Sequence, residues 1–290
     1  MNRLELQVAV AYAQVMTLSE RNILFKGEIG VASVVLLGVA SIAFSLLPVY
    51  PQALQAMAFR VSGPFQALGG GEPDPYVPLA SMVCAMLYAC VTLVIIYRYF
   101  EKTYSPEILY IALFVFSFTL EGSRIMVPLK LTYALPSVYL IMASRVLLFG
   151  RYAGLLSLFI ASVYASGLKV PKQRIMVGII IVLTLMITQN IPIDGLAWDS
   201  SLCMISGYPA LFKILQGGIA CITVISFGIS AYSRGAREYL AIALGSLLVI
   251  LGRGLLLGAD TWISPFLGVA LLGIGAWSIC IYLHRVYLWL

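Results

Sequence analysis

Residues 121–151 read EGSRIMVPLKLTYALPSVYLIMASRVLLFGR, and the fold turns on how this stretch is placed. It carries five charged residues, Glu121, Arg124, Lys130, Arg145 and Arg151, between flanks that are almost wholly apolar. A charged side chain in hydrocarbon costs at least a few kcal/mol, so it takes a partner, a wet cavity or a place at a turn. Which of these holds for each residue decides both the number of membrane crossings and where a site can be.

The flanks settle the class. Hydrophobic residues make up 61% of the 290 and charged residues 10%, against roughly 45–50% and 25% in soluble domains. Eight or nine crossings of about 20 residues use most of such a chain. No block remains that would fold as a separate soluble domain, which excludes an appended kinase, cyclase or nuclease module. The expected fold is an all-α, polytopic transmembrane bundle of about eight spans, with nine as the alternative. Residues 1–28 are expected to form an amphipathic helix, lying in the membrane interface or packed on the bundle, because Leu4, Val8, Ala11, Val15 and Leu18 recur at helical spacing. Residues 29–290 form the membrane domain.

The crossings are expected near 29–50, 77–98, 107–128, 174–192, 207–231, 237–258 and 263–284, with 131–168 still to be divided. A short surface helix is expected within 53–61, before the Gly69-Gly70-Gly71 turn. Lys and Arg decide the rest. Eleven (Arg3, Arg21, Lys26, Arg98, Lys102, Lys169, Lys172, Arg174, Arg234, Arg237, Arg285) fall at one set of ends and two (Arg60, Lys130) at the other. The remaining five, Arg124, Arg145, Arg151, Lys213 and Arg253, are embedded in apolar sequence. The positive-inside rule then puts both termini in the cytoplasm, in an inner membrane. With Lys130 outside and Lys169 inside, 131–168 crosses an odd number of times. Three crossings do not fit, so one long helix is expected, broken near Pro136 or Gly150. The nine-span alternative divides it at Phe149-Gly150-Arg151.

The charge count also shapes the site. Glu121 and Arg124, three apart, share a helix face, and Arg145 and Arg151 follow in the next segment. One glutamate does not neutralise three arginines, so the surplus calls for carbonyls, water or an anionic ligand. Glu121, Arg124, Arg145, Arg151 and Arg253, with Lys213 and Gln216 one turn apart beside Gly217-Gly218, are the candidate ligand-binding residues. On this reading Arg145→Ala abolishes binding and leaves the protein folded. Arg253 is also a candidate partner for Glu121. The pairs Gly150/Gly154 and Gly254/Gly258 are candidates for close helix contact.

Several chemistries are excluded. The basic residues lie in short clusters between apolar runs, a topology signal and no nucleic-acid face. His284 is the only histidine and the five cysteines form no CxxC, so no metal and no haem are expected. Residues 194–198, DGLAW, partly resemble the start of the CDP-alcohol phosphotransferase signature. Trp198 stands where the arginine belongs and the downstream aspartates are absent, so no two-metal site is implied. Asp194, Asp199 and Asp260 are read as turn formers. No nucleophile, phosphate loop or metalloprotease motif occurs, and no cofactor or catalytic residue is expected. The expected function is binding, transport or sensing of a small anionic solute or lipid headgroup in a charged intramembrane cavity. The alternative is an accessory subunit docking membrane partners. Membrane lipids are partners on either reading.

Overall fold

Thr17 opens the first helix with a reciprocal cap: its hydroxyl accepts from the Glu20 backbone N–H, and the Glu20 carboxylate accepts from the Thr17 N–H, both at 3.2 Å. The computed structural model describes residues 17–48, 74, 76–103, 105–167, 173–199, 201–259 and 261–288. From the cap α1 runs Leu18–Leu46 without interruption. The boundary expected near residue 28 is therefore not there, and the first crossing reaches back to Leu18. Of the two placements expected for this segment, Arg21 and Asn22 take the one packed on the bundle. Arg21 donates to the carbonyls of Phe100 and Thr103, and Asn22 to that of Glu101 at 3.0 Å. Arg21 and Asn22 thus tie the start of α1 to the end of α2 and the turn that follows it. The rest of the expected interfacial helix, and the expected helix within 53–61, lie outside the described residues.

Among the described residues eight helices are long and apolar enough to cross a membrane, and the protein is an integral membrane protein. After α1 come α2 (Tyr76–Phe100) and a third crossing, Pro106–Tyr133. That crossing is composite: α3 (Pro106–Phe116), a 3₁₀ segment (Ser117–Ile125) and α4 (Met126–Tyr133). Next are α5 (Ser137–Ala165), α6 (Gln173–Asn190), α7 (Pro209–Arg234), α8 (Glu238–Leu257) and α9 (Ile263–Leu288).

The long stretch after Lys130 breaks at Pro136, not at Gly150. Ala134 adopts the left-handed conformation (φ 50°), and Pro136 caps α5. Proline lacks the N–H that would continue the α4 ladder and disfavours helix in the residue before it. From there α5 runs 29 residues unbroken through Gly150, about 43 Å of helix. The described residues thus hold eight helices of spanning length, and the division at Phe149-Gly150-Arg151 does not occur.

The two ends of the bundle are tied separately. At one, Glu20 meets Arg174 (2.6 Å), Tyr110 donates to the Gln173 carbonyl (3.2 Å), Arg234 to that of Tyr164 (3.1 Å) and Tyr287 to Glu107 (2.6 Å). At the other, Trp262 donates to Asp74 (2.8 Å) and Lys130 to Ser137 (2.9 Å). Each bond joins elements that only an even number of crossings brings to one side.

Glycine sets the helix spacing at two places. A Cβ on Gly150 would lie 2.8 Å from Leu120 Cβ, and one on Gly154 2.3 Å from Ser117 Oγ. This pair lets α5 press on the 3₁₀ segment, as its spacing suggests. The second close contact is between α8 and α9. A Cβ on Gly252 would lie 2.7 Å from the Gly268 carbonyl, and one on Gly275 the same distance from that of Gly245. Gly254, of the other expected pair, meets open space. An element that the sequence reading missed joins α6 to α7. Strands β1 (Ile193–Trp198) and β2 (Met204–Ser206) pair antiparallel in a small hairpin.

Candidate functional site

The 3₁₀ segment builds the centre. In a 3₁₀ helix side chains at i and i+3 eclipse, and a run of nine residues is long for this geometry. Glu121 and Arg124 therefore stack, with Arg124 Nε 3.2 Å from Glu121 Oε2. Both are almost wholly buried, at 3% and 1% exposure. Arg124 also donates to the carbonyl of Leu257, which ends α8, and to Ser81 of α2 at 3.4 Å. One side chain thus ties three crossings.

Because Gly150 and Gly154 bring α5 close, Arg151 reaches the same carboxylate. Its Nε and Nη2 donate to the two oxygens of Glu121 at 2.8 and 3.0 Å, a two-pronged charge-assisted pair. Nη2 also lies 3.2 Å from Cys203 Sγ. Cys203 belongs to the hairpin turn, where the Asp199 N–H donates to its carbonyl (2.8 Å) and the Leu202 N–H to that of Asp199 (2.9 Å). Leu202 takes a left-handed conformation (φ 58°) and is buried in the core, which presses the turn down onto Arg151. Burial raises the Cys203 thiol, but the Arg151 and Arg124 guanidiniums hold it below the usual thiol range.

Arg253 completes the group. It is buried on α8, and its Nη2 donates to the Arg151 carbonyl at 2.8 Å. The expected bond to Glu121 does not form, since Arg151 occupies both carboxylate oxygens. Among the described residues no carboxylate comes within 4 Å of Arg253. One carboxylate against three guanidiniums leaves two positive charges at this centre.

Beside the surplus is a cavity of about 350 Å³, lined by Arg151, Arg253, Lys213 and Gln216, with Asp199 and Ser201 from the hairpin. Gly217 and Gly254 form part of the wall, and no atom stands where their side chains would be. Glu121 and Arg124 lie behind this wall and hold Arg151 in place.

Arg145 lies apart from this group. It donates to the carbonyl of Thr188 near the end of α6. Six residues along an α-helix turn the direction by about 240°, so Arg145 and Arg151 leave α5 on different sides. The expectation that Arg145 joins the ligand group is corrected accordingly.

Tyr152 is a residue that sequence reasoning missed. It is fully buried, its hydroxyl finds no hydrogen-bond partner among the described residues, and Gln216, Arg253 and Arg151 are its polar neighbours. A tyrosine within an apolar run gives no signal of this role. No group of three or more metal-ligating side chains occurs among the described residues. No family model, curated protein or solved structure matches this chain.

Proposed function

We propose that this integral membrane protein binds a small oxyanion, a carboxylate or phosphate carried by a solute or by a lipid headgroup, in the cavity beside Arg151 and Arg253. The observation that carries the reading is Arg253, buried with no carboxylate within 4 Å among the described residues and lining an open space beside Arg151 and Lys213, with Asp199 the one carboxylate on that wall. Burying charge without a partner is costly, and an anion in that space removes the cost. The guanidinium fork matches carboxylate and phosphate geometry, and Gln216 on the cavity wall supplies a neutral donor. At about 350 Å³ the space is near the lower end of ligand pockets, which favours a small ligand or a headgroup alone. Lys213, exposed on α7, adds attraction at the same cavity.

The role is that of a carrier or a receptor for such an anion. The bundle end with Arg21, Arg98, Lys102, Arg174, Arg234, Arg237 and Arg285 would face the cytoplasm of an inner membrane. The accessory-subunit alternative has no particular observation in its favour, because lipid covers the outward apolar helix faces equally well.

The test is thermal stabilisation and equilibrium binding of the purified full chain with inorganic phosphate, short carboxylates and glycerol phosphate. Arg253→Ala should weaken binding at least about 10-fold and leave the unfolding transition cooperative. A wild-type protein that none of these anions stabilises, with no copurifying phospholipid in native mass spectrometry, would refute the proposal. Copurifying anionic lipid lost on Arg253→Ala identifies a headgroup, and binding of free phosphate identifies a solute.

A further inference from the structure

Three glutamates are buried among the described residues, Glu28, Glu107 and Glu121, and of these Glu28 has no hydrogen-bond partner there. Arg21, Phe25, Glu28 and Ala32 form the buried face along this part of α1, at the spacing of one helix side. Glu28 is 8% exposed, and both its carboxyl oxygens are shielded from solvent with no hydrogen-bond donor among the described residues. No cationic nitrogen of the described residues comes within 4 Å. Phe25 and Ala32, one turn to either side, share an apolar cluster with Leu93, Ile96 and Phe100 of α2.

The charged and titratable groups around α1 are all placed elsewhere. On α1 itself, Arg21 is seven residues away, about 10 Å along the axis, and donates to the carbonyls of Phe100 and Thr103. Lys26 lies over the Tyr97 ring. The elements packed on α1 are α2, α3 and the 3₁₀ segment. They bring Tyr76, Cys84, Tyr88, Cys90, Tyr97, Arg98 and Tyr99 on α2, Glu107 and Tyr110 on α3, and Glu121 and Arg124 in the 3₁₀ segment, and none of these bonds to Glu28. An ionised carboxylate in such a place would be prohibitive, and a neutral carboxyl costs far less.

We infer that Glu28 is a proton-binding site, which holds its proton in this structure and releases it only when α1 and α2 part to admit water. The ligand is the proton, and the element that its binding biases is the α1–α2 contact. This inference does not depend on the anion reading, since no residue is shared between the two sites.

The experiment is labelling of the reconstituted full chain with dicyclohexylcarbodiimide at acid and alkaline pH, mapped by peptide mass spectrometry. A protonated carboxyl adds across one C=N bond: its proton goes to nitrogen and its oxygen to the central carbon. The acyl group then migrates from oxygen to nitrogen, leaving a stable N-acylurea. Glu28 should be labelled several-fold more at acid than at alkaline pH, while Glu121, in its ion pairs, stays unlabelled. Glu28→Gln should abolish that label and leave the melting temperature unchanged. The protection factors of amides along the first half of α1, with the base-catalysed rise in intrinsic exchange divided out, should fall at alkaline pH in the wild type and not in Glu28→Gln. Absence of label at Glu28 at every pH, with Glu28→Gln unstable, would mean a carboxylate held by a cation and would overturn the inference. Labelling that does not fall as pH rises would also overturn it, because the proton would then never leave.

Discussion

Glu121 and Glu28 are buried to nearly the same degree, 3% and 8% exposed, in the same bundle and with opposite surroundings. Glu121 receives both prongs of the Arg151 guanidinium and an ion pair from Arg124. Glu28 receives nothing from the described residues. Burial alone therefore does not say what a carboxyl does in a membrane. The neighbours decide whether it organises charge, as Glu121 does, or keeps its proton, as inferred for Glu28. The two arginines of α5 repeat the lesson. Arg151 turns toward a carboxylate and a cavity, while Arg145 covers a helix-end carbonyl.

The comparison is broken most directly at Glu121. Glu121→Ala leaves Arg124 and Arg151 buried without their anion, at an expected cost of about 3–5 kcal/mol, the range for breaking a buried ion pair. Unfolding of the purified protein followed by circular dichroism checks this, and a loss below about 1 kcal/mol would show the centre to be solvated. Arg253→Ala should weaken anion binding at least about 10-fold, from the roughly 1.5–3 kcal/mol of a hydrogen bond to a charged group. Its stability should change little, since Arg253 makes one hydrogen bond to the described residues. Calorimetric titration separates the two effects.

Gly154→Ala tests what brings the Arg151 fork to Glu121. The added methyl meets Ser117 Oγ at 2.3 Å, and overpacking of this kind costs about 1–3 kcal/mol. A lowered melting temperature together with weakened anion binding is expected. Glu28→Gln, an isosteric change of a neutral group, should cost no more than about 1 kcal/mol, against the several expected at Glu121. Equal losses at the two sites would erase the distinction between them. Lys213→Ala should have the smallest effect, roughly 0.2–1 kcal/mol in anion affinity, and less as salt is raised.

Much of the fold could be read from the sequence because the bilayer imposes few choices. Apolar runs of spanning length, separated by clustered Lys and Arg, mark the crossings and their alternation. The requirement for an odd number of crossings after Lys130 predicted one long helix, and Pro136, with its missing N–H, marked one of two possible breaks. Part of the side-chain placement was legible. A surplus of arginine over Glu121 is a matter of counting, and Arg151, Arg253, Lys213 and Gln216 do meet at one cavity. Arg145 was misplaced because proximity in sequence is not proximity around a helix. Whether the start of α1 lies in the interface or packs on the bundle was open in the sequence, and the bonds of Arg21 and Asn22 to carbonyls at and after the end of α2 pack it on the bundle.

The hairpin and the 3₁₀ segment had no usable local signal. Residues 191–208 read as a turn, and only pairing across the turn and the burial of Leu202 make them a cover for Arg151. In the same way Gly254 and Gly258 have the spacing of a helix contact, yet Gly245 and Gly252 form the real one with α9. By itself the sequence determined that this is a membrane bundle of about eight crossings with more buried positive charge than it neutralises. Those properties follow from hydropathy and charge, which each residue carries wherever it lies. Only the tertiary structure decided which charges meet, which carboxyl is left alone and where the cavity opens. Those depend on the rotation and spacing of helices, which side-chain contacts and bare glycine surfaces set between residues far apart in the chain.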